Sequence, residues 1–220
     1  MSRVHIVGVM LVGLFLTTFL SASESYFSHQ LHLKKVGVSC TYCHASATGS
    51  IEATDLNLPK EEDCLLCHTG KIAPEIDTST LLSRQTEERT FRFNHSFHLK
   101  LGNLAPILAS AIDNGSYLGK QGDIRQYLDT NNPCEACHRG LDETDLATQA
   151  NLPKMSDCLV CHSDIDPPYS CQKCHFDGVR LKPDDHTLEF SDLHSTGKLD
   201  LDKLSCLPCH GKTFSCKGCH

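Results

Sequence analysis

The pentapeptide Cys-x-x-Cys-His occurs seven times in this chain of 220 residues, and the seven copies use all 14 cysteines. They are Cys40-Thr-Tyr-Cys43-His44, Cys64-Leu-Leu-Cys67-His68, Cys134-Glu-Ala-Cys137-His138, Cys158-Leu-Val-Cys161-His162, Cys171-Gln-Lys-Cys174-His175, Cys206-Leu-Pro-Cys209-His210 and Cys216-Lys-Gly-Cys219-His220. Two thiols three positions apart, followed at once by an imidazole, supply two thioether bonds and one axial iron ligand, the demand of a c-type haem. Paired cysteines also serve zinc ribbons and disulfide frameworks, but neither needs a histidine behind every second cysteine. With 14 histidines in 220 residues, seven such placements arise by composition with a chance of about four in a billion. The reading is seven covalent haem c groups, with zinc or disulfides as the rival.

The N-terminus reads as a secretory leader over residues 1–23. Arg3 is followed by an apolar run from Ile6 to Leu20 and by small residues at Ser21-Ala22-Ser23, with cleavage expected near Ala22 or Ser23. An uncleaved anchor is the competing reading, but the run is short for a bilayer span and is broken by Gly8, Gly13, Thr17 and Thr18. Export to the periplasm or beyond suits haem attachment, which the motifs' resemblance to those of cytochromes c implies is completed outside the cytoplasmic membrane.

Past the leader, about one motif falls in every 28 residues, and apolar residues other than cysteine make up about 30%, below the 45–50% of globular domains. Such a chain has too little to bury for an ordinary core. Macrocycles tied at three points must supply the interior, so the haem-free chain is expected to be largely unfolded. The expected fold class is mainly α with much irregular structure, haem-cored, with little or no β-sheet. The formal charge of −7 argues against nucleic acid as a partner. It suits solubility or steering towards a basic redox protein.

Two sections repeat each other. The first runs Phe27-Ser-His29-Gln-Leu-His32, the motif at Cys40, Asn57-Leu-Pro-Lys60 with Asp63, and the motif at Cys64. The second runs Phe93-Asn-His95-Ser-Phe-His98, the motif at Cys134, Asn151-Leu-Pro-Lys154 with Asp157, and the motif at Cys158. In both, the two motifs start 24 residues apart. The second section is longer by an insert of about 28 residues between His98 and Cys134. This divides the chain into a two-haem unit at 24–70, a linker at 71–90, a second two-haem unit at 91–165 with its insert near 99–131, and a three-haem section at 166–220. The insert is expected to form a helix from near Pro106 to Asn114-Gly115 and a second short one around Asp123 to Leu128. It reads as a flap over a haem, or else as a docking surface or lid. Asp164-Ile-Asp-Pro-Pro168 reads as a stiff turn.

The motif histidines fill one axial position of each iron. Outside them and His5, six histidines remain, His29, His32, His95, His98, His186 and His194, and these are the candidate distal ligands. In the His-x-x-His pairs, residues three apart lie on one helical turn, so one turn can serve two irons and draw two haems together. These segments ahead of Cys-x-x-Cys-His resemble the distal-ligand motif of the class III multihaem cytochromes, the cytochrome c3 and c7 group, over residues 26–70 and 91–175. The resemblance implies that His29 serves the haem of Cys40 and Cys43, that His95 serves the haem of Cys134 and Cys137, and that the second histidine of each pair reaches another haem. The long insert and the seven-motif total depart from that family.

Six distal histidines for seven irons leave one odd site. Met155, an open position, or a foreign ligand could complete it, and the Cys216–His220 motif is its expected place. The function expected is an exported electron relay between quinol-oxidising membrane machinery and periplasmic or extracellular acceptors, with redox proteins as partners and no catalytic residues. A reductase working at one open-site haem and a subunit of an extracellular cytochrome filament are the alternatives.

Overall fold

The computed structural model describes residues 27–79, 89–119, 122–162, 171–181 and 186–198. The expected leader, the motifs at 206–210 and 216–220, the turn at 164–168 and the middle of the expected linker lie outside the described residues. Regular structure is short and helical. In order it comprises a π-helical turn at Leu31–Val36, α1 (Cys40–Cys43), α2 (Glu61–Leu65), α3 (His95–Lys100), α4 (Ala105–Asp113), α5 (Met155–Leu159) and α6 (Phe190–Ser195), with 3-10 turns between them. No strand occurs among the described residues, where a single antiparallel bridge joins Phe91 to His175. The mainly helical, sheet-free architecture is the one the composition implied.

Each of the five described motifs closes with the same turn. The histidine N–H donates to the carbonyl of the first cysteine, at 2.9 Å for His44, 3.0 Å for His68 and 2.9 Å for His138, His162 and His175. This turn gathers the first cysteine, the second cysteine and the histidine on one face, because residues three and four apart share a face of a helix. The repeated Asp ahead of the second motif starts its helix. The Asp63 carboxylate accepts the Lys60 N–H at 2.8 Å and Asp157 accepts the Lys154 N–H at 2.7 Å, satisfying a donor that an N-terminus otherwise leaves orphaned.

The insert carries most of the buried apolar side chains among the described residues. Helix α4 begins with Pro106 in its first turn and stops at Asn114, with Gly115 in the left-handed region at φ 73°. A 3-10 turn at Gly122–Leu128 follows. Ala105, Leu108, Ala109, Ala111, Ile112, Tyr117 and Leu128 bury themselves against Ala136, with Cys137 and Val160 of the second unit's two motifs packed alongside. Over the first unit and the described start of the linker, 27–79, by contrast, Ser50 and Thr78 are the buried residues, and Val36, Ile51, Leu56 and Ile72 are more than 60% exposed. Protein alone covers the second unit and leaves the first one bare.

The two units meet reciprocally. Gln30 N–H donates to the Thr144 carbonyl at 3.0 Å, and Ser96 N–H donates to the Ser50 carbonyl at 2.9 Å. Gln30 and Ser96 hold the same place in their His-x-x-His segments, and Ser50 and Thr144 the same place after their first motifs. This exchange of equal contacts is the mark of an approximate two-fold relation. Cys40 and Cys134, equivalent again, lie side by side at its centre, close enough for each thiol to act on the other. Ser28 bonds Asp145, and Lys34 pairs with Asp142 at 3.3 Å along the same seam.

Candidate haem-binding site

The distal segments place their imidazoles opposite the motif imidazoles. Ring centroids of His32 and His68 are 6.2 Å apart, those of His95 and His138 are 6.4 Å apart, and those of His98 and His162 are 6.3 Å apart. His29 lies within electrostatic reach of His44, which helps hold its pKa down after burial itself. An imidazole nitrogen sits about 2 Å from a bound transition-metal ion and about 1.1 Å from its own ring centre, so two ligands on opposite sides of one metal place their centroids about 6.2 Å apart. All three measured separations fit that requirement. A zinc ribbon or a disulfide framework calls for no such facing imidazoles.

Backbone carbonyls fix the rings. The Nδ1–H of His44 donates to Asn57 O at 2.7 Å, that of His68 to Pro74 O at 2.7 Å, that of His32 to Ser28 O at 2.8 Å and that of His98 to Asn94 O at 2.8 Å. His138 bonds the Asn151 backbone in the same manner as His44 bonds Asn57. A carbonyl only accepts, so the proton stays on Nδ1 and the Nε2 lone pair is left for iron. Burial, reinforced by the facing His95, pushes His138 down to about 4, which keeps that ring neutral at physiological pH.

Aromatic rings set the orientation of the distal pairs. Phe27 stacks on His32 at 4.5 Å and meets His29 edge-on at 4.8 Å, and Phe93 treats His98 and His95 alike at 4.4 and 4.7 Å. Phe190 stands between His186 and His194 at 4.3 and 5.8 Å. Sequence reasoning quoted Phe27, Phe93, Asn57 and Asn151 as parts of a repeat but gave them no role. The signal was present, since a repeat conserved within one chain keeps residues that do the same work twice. Of the candidate ligands, His32, His95 and His98 are brought opposite motif imidazoles, and His29 lies within electrostatic reach of His44. His175 is tied to Phe91 by the backbone bridge, His186 and His194 flank Phe190, and His210 and His220 lie outside the described residues.

The motif cysteines follow one another through the two units and on to the motif at Cys171. Cys64 is within electrostatic reach of Cys43, Cys134 lies beside Cys40, Cys158 acts on Cys137, and Cys174 acts on Cys158. Burial pushes the Cys137 thiol up to about 11.

A chain that repeats a haem-attachment pentapeptide and sets imidazoles in facing pairs is a multihaem c-type cytochrome. Residues 35–220 match the family model described as outer membrane cytochrome MtrC/MtrF-like, domains II/IV, and the chain belongs to that family of electron-transfer cytochromes. The match supports the multihaem class and not the narrower cytochrome c3 and c7 group. No curated protein and no solved structure matches the chain significantly.

Proposed function

We propose that this protein is an exported seven-haem c-type cytochrome that passes electrons along a row of mostly bis-histidine sites, between a quinol-oxidising membrane complex and an outer-membrane or extracellular acceptor. The observation that carries the reading is the set of three imidazole pairs at 6.2–6.4 Å. His44, His68, His138, His162, His175, His210 and His220 are the proximal ligands. His29, His32, His95, His98, His186 and His194 are the distal ones, and the fourteen motif cysteines are the points of attachment. Haem, when bound, would supply a one-electron iron couple.

The chain's own part is to hold, orient and order. His29 and His32, on one turn, serve the sites of His44 and His68, while His95 and His98 serve those of His138 and His162. That assignment agrees with the class III pattern for the first histidine of each pair, and it sends the second histidine to the second motif of the same unit. The cysteine sequence Cys64, Cys43, Cys40, Cys134, Cys137, Cys158, Cys174 orders the sites as His68, His44, His138, His162, His175. The row crosses the two-fold seam at Cys40 and Cys134. Met155 starts α5 in a half-exposed position, in a unit whose proximal imidazoles already face histidines, so the odd ligand is sought elsewhere, at the Cys216–His220 site.

Filled axial positions leave a substrate nowhere to bind, which favours a carrier over a reductase at these four sites. Intact mass and EPR of the exported protein test the reading. Seven haem additions and dominant low-spin ferric signals are expected, with reduction by a quinol analogue and reoxidation by a chelated ferric salt. Bound zinc in place of haem, or a mainly high-spin spectrum, would overturn it.

A further inference from the structure

The two units share histidine spacing and the Nδ1 acceptors of His32 and His98 and of His44 and His138, yet they differ in one buried cluster. Arg139, directly behind His138, bonds Asp157, directly ahead of Cys158, at 2.6 Å, and the side chains are 5% and 3% exposed. Tyr117 from the insert, 1% exposed, donates its O–H to the second Asp157 oxygen at 2.8 Å. A second Arg139 nitrogen donates to Ala136 O at 2.8 Å, and Ser156 lies 2.8 Å from the Tyr117 hydroxyl. In the first unit the place of Arg139 is held by Ala45, the insert is missing, and Asp63 is only half-buried. A salt bridge buried to this degree is weak evidence for stability, since apolar residues of the same volume often serve as well. Its position suggests another use.

We propose that the Arg139–Asp157–Tyr117 cluster is a potential-setting device that makes the two sites of the second unit electrochemically different from their duplicates in the first. The inference rests on His138 and His162 being axial ligands. Reduction adds one electron and takes the iron from ferric to ferrous, lowering its positive charge by one. A nearby carboxylate therefore favours the ferric form and a nearby guanidinium the ferrous form. Low surrounding polarity makes both effects larger than at the half-buried Asp63 site. The field of Asp157 already reaches both attachment points, because it helps raise the thiols of Cys137 and Cys158. Arg139 and the Tyr117 hydroxyl offset it.

Spectroelectrochemical titration of the whole holoprotein against dithionite and ferricyanide tests this, with haem count by mass and low-spin EPR as controls. Arg139→Gln should move two of the haems towards the ferric form by roughly tenfold in the ferric-to-ferrous ratio at fixed potential. Asp157→Asn should move the same two the opposite way, and Tyr117→Phe should follow Arg139→Gln with a smaller shift. Asp63→Asn should have less effect than Asp157→Asn. Shifts of the same sign in the arginine and aspartate variants, or equal shifts from Asp63→Asn and Asp157→Asn, would overturn the inference. Should Arg139→Gln fail to fold, Tyr117→Phe decides: no shift in a protein with its full haem count refutes the proposal. Loss of the low-spin signals in the unmodified protein would instead refute the ligand assignment beneath it.

Discussion

At the scale of single residues, the candidate distal histidines His32 and His98 are each held by a phenylalanine and a carbonyl, while His29 and His95 meet the same phenylalanines edge-on, and this explains how one turn can present two rings in different directions. Phe93 lies flat on His98 and edge-on to His95, so the two rings diverge from one helical turn towards His162 and His138. Replacing His98 with alanine should leave the haem count unchanged, because the thioether bonds are made elsewhere. It should convert one low-spin ferric signal to high-spin; an unaltered EPR spectrum would dismiss His98 as a ligand. Phe93→Leu keeps both ligands but loses the ring contacts, at a cost of about 1 kcal/mol in denaturant unfolding. The histidines themselves were legible from counting and spacing. Their pairing was not, because the partner of an imidazole is set by where the chain folds back, which spacing in sequence does not fix.

Among the elements, α4 has the most conventional physics. Its Pro106 start and Gly115 stop are local signals, and the helix forms where those signals put it. Its role required the fold: α4 and Tyr117 cover the two motifs of the second unit, giving that unit a protein core. Leu108→Ala should cost about 2–5 kcal/mol by opening a cavity there, a loss read in thermal unfolding, while the first unit's spectroscopic signature is unchanged. Gly119 is the tight point of the insert. A Cβ added there would meet Ser156 Oγ at 2.5 Å and Tyr117 Cε1 at 2.8 Å. Gly119→Ala should therefore destabilise the protein by about 1–3 kcal/mol, whereas alanine at the open Gly49 position should cost less than half as much in the same assay.

At the scale of the whole molecule, the described part of the chain sets two similar halves against each other through exchanged equal contacts, with the motif cysteines of one half leading to those of the other across Cys40 and Cys134. The first half exposes Val36, Ile51, Leu56 and Ile72, apolar surface that large covalent ligands suit and that protein does not cover. Haem-free chain, made by replacing the motif cysteines with serine, should show little helix by circular dichroism; native helix content would contradict a haem-dependent fold. The sequence by itself determined the cofactor chemistry, the mainly helical class, the repeated segments and the insert, because all of these depend on residue type and local spacing. Only the tertiary structure decided which imidazoles face each other, that the halves exchange equal contacts, and that Arg139, Asp157 and Tyr117 close into one buried cluster. Those three lie 18 and 40 residues apart along the chain, and contacts of that range exist only once the whole chain has chosen its path.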